Sequence, residues 1–164
     1  MFIRRVFLLG VIGMTAVAGL FAAPDFNTDR GASGGALGIF LGQPTGITFR
    51  YGYGGEQSFE AKAAWDLASY GGSPSFSFQA NWLLEFPRVL VIQNANFPLY
   101  IGAGLQSDVG PDWASIGFRI PFGIVYRFRK TPLELNLEIG LGMQLFPSTS
   151  FQPSGGLGLR YRFK

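Results

Sequence analysis

The chain has 164 residues, 13 of them Lys or Arg against 10 Asp or Glu, with no cysteine and no histidine, a length that suits one domain. The missing cysteines exclude disulfides, thiolate zinc cages and the acylated cysteine of a lipoprotein, and the missing histidines exclude a Ser-His-Asp triad and imidazole metal sites. No enzyme activity and no cofactor are therefore expected. Without Arg4 and Arg5, eleven basic residues face ten acidic ones, a balance too even for a nucleic-acid binder.

Arg4 and Arg5 precede an uncharged apolar run from Val6 to Ala23, and Pro24 and Asp25 follow it. This is the layout of a secretory signal peptide. Residues 1–23 are thus expected to be removed, by cleavage after Ala18, Ala22 or Ala23, leaving a mature domain over 24–164. A retained membrane helix is the rival reading. Gly10, Gly13, Gly19 and the small residues closing the run favour cleavage. After Ala23 no uncharged apolar stretch is long enough for a spanning helix, and 24 glycines with 10 prolines punctuate the chain; both point to a sheet protein.

In chain order, alternation of period two predicts strands in ALGIFLG, GITFRYGY, SFEAKAAWD, SFSFQANWL, PLYIGAGLQ, ASIGFRIPFGIVYRF, PLELNLEIGLGMQL and GGLGLRYRF, separated by turn-rich pieces. Leu133, Leu135, Leu137, Ile139, Leu141, Met143 and Leu145 fall on one face of the seventh, with Glu134, Asn136 and Glu138 on the other. Pro121 is awkward inside the sixth, because proline donates no ladder hydrogen bond. The stretch LEFPRVLVIQNANF is expected as a long connection, and residues 85–96 leave room for a further short strand. Eight strands form an all-β, closed, antiparallel up-and-down barrel, an even number as single-chain outer-membrane barrels require.

Alternation alone leaves open whether the apolar face points inward, as in a secreted soluble barrel that binds an apolar ligand, or outward into lipid. Three features favour lipid. The apolar face of the two longest strands carries no charge, and a charge at bilayer depth costs ~2–4 kcal/mol. Aromatics gather at two levels, Tyr51, Tyr53, Phe59, Trp82, Tyr126, Phe128, Tyr161 and Phe163 at one and Trp65, Phe76 and Trp113 at the other, as in interfacial girdles. The polar face is half glycine, which lets a narrow sheet curl.

The inward charges Arg50, Glu60, Lys62, Asp66, Arg119, Arg127, Glu134, Glu138, Arg160 and Arg162 form the one constellation of chemical interest. Hairpin geometry is expected to put Arg50 near Glu60, Arg127 near Glu134 and Glu138 near Arg162. Paired signs suggest a lumen latched shut by ion pairs; the other reading is a pore for small solutes or ions. The expected outward loops carry no Lys or Arg, so no phosphate of lipopolysaccharide is expected to dock there.

The closing segment GLGLRYRFK, with Gly158, Tyr161 and Phe163, resembles the carboxy-terminal signal read by the barrel assembly machinery, from which Lys164 and Gly156 depart. With GQPTGITFRY, PLYIGAG, GFRIPFGIVYRF and PLELNLEI, the mature chain is similar to the small eight-stranded outer-membrane proteins of the OmpA-transmembrane, OmpX and OmpW class. That resemblance implies an integral barrel of the bacterial outer membrane, with outer-membrane lipid and the assembly machinery as partners and both termini in the periplasm. It implies no single activity.

Overall fold

The computed structural model describes residues 33–66, 75–92, 95–128 and 131–163. The leader expected over 1–23 and Lys164 lie outside them, and the side chain of Asp66, expected to point inward, is likewise outside the description. Eight strands run in order: β1 Ser33–Gln43, β2 Thr45–Tyr53, β3 Gln57–Asp66, β4 Ser75–Ile92, β5 Ala95–Val109, β6 Ala114–Arg127, β7 Leu133–Phe146 and β8 Ser150–Phe163. Each pairs antiparallel with the next, and β8 returns to β1, so the sheet closes into a barrel. Closure gives every strand of the wall two neighbours, which satisfies backbone donors and acceptors within the sheet.

Gly35 stands opposite Phe163. The first and last strands therefore meet at one end of the barrel, here the terminal end, which also carries the β2–β3, β4–β5 and β6–β7 connections. The four remaining connections define the opposite, or loop, end.

The long connection expected after residue 83 is instead a hairpin. Strand β4 runs on through a bulge between Phe86 and Leu90, and Leu90, Val91 and Ile92 pair with Phe97, Asn96 and Ala95. No extra strand separates β4 from β5. The irregularity has a local cause: Pro87 supplies no N–H, Arg88 turns to a φ of 67°, and the Arg88 N–H donates to Asn96 Oδ1 at 3.1 Å. Strand β3 reaches only as far as the partner of Leu84, so this hairpin projects past its neighbour and leaves Val89, Val91 and Ile92 exposed.

Pro121 sits inside β6, paired with Gly140 on the β7 side. On the β5 side the ladder is interrupted between Ile101↔Phe122 and Gly104↔Arg119 without a change of register. Proline is tolerated in mid-sheet here because the β6–β7 ladder continues past it while the β5 side gives up pairing.

Alternation sorts the side chains into two sets. In β4 the residues alternate buried and exposed from Ser75 to Phe86, with Ser75, Ser77, Gln79, Asn81, Leu83 and Glu85 inside. The inside is predominantly polar, apart from Ala36, Phe40 and Ala64 and a cluster of Leu83, Tyr100 and Val125 that packs together near the terminal end. The outside carries Leu, Ile, Phe, Val, Tyr and Trp, including Leu37, Phe78, Leu105, Ile116 and Leu137. The usual arrangement of a water-soluble domain, apolar inside and polar outside, is reversed.

Candidate functional site

The interior charges occupy neighbouring inward positions because period-two alternation keeps residues i and i+2 on one face. Strand β2 supplies Arg50, β3 supplies Glu60 and Lys62, β4 Glu85, β6 Arg119 and Arg127, β7 Glu134 and Glu138, and β8 Arg160. All nine side chains are almost completely buried.

They form one chain of alternating sign. Arg50 contacts Glu85; Arg127 lies 2.6 Å from Glu85 and 2.9 Å from Glu134; Arg160 lies 3.0 Å from Glu134 and contacts Glu60. Lys62 then lies 3.3 Å from Glu60 and 2.5 Å from Glu138, and Arg119 closes the series 2.9 Å from Glu138. Arg50 also stands 3.7 Å from Glu134. Several of these pairs join strands that are not neighbours: β2 to β4, β4 to β6, β3 to β8 and β3 to β7. Side chains therefore span the lumen rather than line it.

Uncharged partners fill in around the chain. The Tyr100 hydroxyl donates to Glu138 at 2.7 Å, Thr48 donates to Glu60 at 3.4 Å, and Ser58 accepts from Arg50 at 2.9 and 3.0 Å. Phe40 lies under the Lys62 ammonium at 4.2 Å and Tyr100 under the Arg50 guanidinium at 5.4 Å, both within cation–π range. Towards the loop end a neutral layer follows. Gln79 donates to Gln106 at 3.5 Å, Gln106 to Gln152 at 3.4 Å, and Gln152 to Gln144 at 2.8 Å.

The expected local pairs fare differently. Arg127 and Glu134 are opposite in register and bonded. Arg50 and Glu60 are opposite in register, but the Arg50 guanidinium reaches past its neighbour to Glu85 and Glu134. Glu138 does not meet Arg162, because the β7–β8 register places Glu138 opposite Gly156 and Glu134 opposite Arg160. Arg162 stands outside the ion-pair chain, part-buried, and donates to the Phe128 carbonyl at 3.1 Å.

Glu85, Tyr100, Thr48 and Asn81 were not singled out from the sequence. Glu85 had a signal, since it continues the inward phase of Ser75, Ser77, Gln79 and Asn81. Leu83, apolar at an inward position, hid it.

Of the aromatics, Tyr51, Trp65, Trp82 and Trp113 are exposed on the outer surface. Tyr126 is not: Phe97 of the projecting hairpin and Phe128 lie 5.5 and 4.8 Å from its ring and bury it. Tyr161 and Phe163 face outward on β8, at the seam with β1, while Gly158 faces inward beside Asn136. The outer wall also has an open groove of about 520 Å³, where Ala61, Ala63 and Ala80 lie among Phe49, Phe78 and Leu105.

Among the described residues no group of three or more acidic side chains is placed to hold a metal ion. Neither family models nor curated proteins nor solved structures show a match to this chain.

Proposed function

We propose that the chain is an integral β-barrel of the bacterial outer membrane, with a structural role in the envelope and a lumen latched shut by its ion pairs. The observation that carries this reading is the reversed polarity of the wall. Leu37, Ile39, Leu41, Leu137, Ile139 and Leu141 are each about half exposed on the outside, while, among the described residues, five cations and four carboxylates joined in ion pairs are buried within. A soluble monomer rarely presents more than a few hundred Å² of contiguous apolar surface, whereas lipid requires it. The closed sheet meets the second demand of a bilayer, that every backbone polar group find a partner inside the protein. The seam strand β8, with Tyr161 and Phe163 outward, is where an assembly signal would be read.

Planar-bilayer recording of the refolded mature chain tests the role, alongside a variant carrying Glu60→Gln, Glu134→Gln and Glu138→Gln. A wild type that inserts and stays electrically silent, with a variant that is less stable or leaky, is the expected outcome. Discrete conductance steps in the wild type, altered in ion preference by the variant, would instead make the barrel a pore. A mature chain that stays monomeric in buffer without detergent would make it a soluble carrier.

A further inference from the structure

We infer that the lumen binds one small monovalent anion of chloride size at its terminal end, held by the guanidinium groups of Arg50, Arg127 and Arg160. The inference concerns the barrel interior and does not depend on where the barrel resides.

The charge count comes first. Among the described residues the ion-pair chain holds five cations, Arg50, Lys62, Arg119, Arg127 and Arg160, against four carboxylates, Glu60, Glu85, Glu134 and Glu138; a fifth buried carboxylate, Asp108, stands apart from that chain towards the loop end. Every one of these side chains is at least nine-tenths buried. An uncompensated charge in such surroundings is costly, and arginine does not escape by losing its proton.

The excess lies at one end. Lys62 and Arg119 share Glu138, and Lys62 also leans on Glu60. Towards the termini, three guanidiniums crowd Glu85 and Glu134: Arg50 and Arg127 both reach Glu85, and Arg50, Arg127 and Arg160 all reach Glu134, while Glu60, which Arg160 also contacts, is shared with Lys62. Arg162, two residues beyond Arg160 on the same strand, adds positive potential at that mouth.

The unmatched donors are the independent observation. Arg50 Nη1, Arg127 Nη1 and Arg160 Nη2 are buried without a hydrogen-bond acceptor, and so is Arg162 Nε; Arg119 Nε, beside Glu138, is unmatched too, but singly rather than in a cluster of guanidiniums. Water would accept from these N–H groups but would leave the charge uncancelled. An anion does both, and a guanidinium donor strengthens such bonds. The excess of one within the ion-pair chain sets the valence, and side chains that cross the lumen favour a small ion. The loop end is the wrong place for it, because Asp108 is buried there beside Gln106 and Ser115.

The test uses the mature chain refolded in detergent micelles. Its urea midpoint is followed against rising sodium chloride and sodium gluconate at matched ionic strength. A saturating rise with chloride and not with gluconate is expected. Glu85→Gln, which adds a second uncancelled cation, is expected to lower the half-saturating chloride about tenfold, and Arg50→Gln to abolish the response. Bromide-soaked crystals of the wild type give a measurement independent of either variant folding, with an anomalous peak expected beside Arg160 Nη2 or Arg127 Nη1. Equal responses to chloride and gluconate, or water alone at those nitrogens, would overturn the site.

Discussion

The Lys62 ammonium on β3 lies 2.5 Å from the Glu138 carboxylate on β7, the strand diametrically across the barrel. That bond ties the two halves of the wall together through the lumen. Glu138 also accepts from Arg119 at 2.9 Å and from Tyr100 at 2.7 Å, so one carboxylate holds strands β3, β5 and β6 to β7.

Removing that charge takes from Arg119 the acid it pairs with and leaves Lys62 with Glu60 alone. Glu138→Gln is expected to destabilise the barrel by about 3–5 kcal/mol, the usual result of breaking a buried pair from one side. Adding Lys62→Met should recover part of the loss, because it removes one of the two cations that had shared Glu138. A double-mutant cycle on urea unfolding reads the coupling, and strictly additive losses would show that the two groups do not interact.

Arg160 bridges two acids with different nitrogens, Nε to Glu134 and Nη1 to Glu60. A lysine has one point of attachment and cannot serve both. Arg160→Lys should therefore cost about 1–3 kcal/mol, the penalty for leaving one buried acceptor short of a donor. An unfolding midpoint equal to wild type would mean that water replaces the second bond.

Leu137 is half exposed in the middle of β7, between the inward Asn136 and Glu138. If the wall faces lipid, Leu137→Arg costs about 2–4 kcal/mol when folding is titrated in phospholipid vesicles. On a wall in water the same change stays within about 0.5 kcal/mol. The measurement thus reads the environment of the outer face directly, and a small effect in vesicles would count against membrane insertion.

Gly123 is required by close approach. A Cβ added there would collide with the Leu137 carbonyl oxygen of the neighbouring strand and lie 2.8 Å from the Tyr100 hydroxyl. Gly123→Ala should cost about 1–3 kcal/mol through overpacking and should displace Tyr100 from Glu138. Near-ultraviolet circular dichroism of the refolded barrel reports the tyrosine environment. An unchanged spectrum together with unchanged stability would show that the wall yields at this point.

How far the architecture was legible in the residues depends on what each feature rests on. Alternation in PLELNLEIGLGMQL or SFEAKAAWD is local: each residue's face follows from the pleat, so strand identity, the inward charges and the outward apolar set could be read along the chain. Where alternation is disturbed, the reading stopped short. Leu83 sits inward because it packs on Tyr100 and Val125, and behind it Pro87 and Arg88 build a bulge, so the end of β4 and Glu85 resembled a connection. The partners of the charges were decided by closure alone. Hairpin spacing brings Arg127 to Glu134, but Lys62 to Glu138 and Arg160 to Glu60 are separated by 76 and 100 residues. They meet because an eight-stranded ring is narrow enough for long side chains to cross it. Register within the ring then selects which acid each base finds, and no pattern confined to one strand or one hairpin contains that choice.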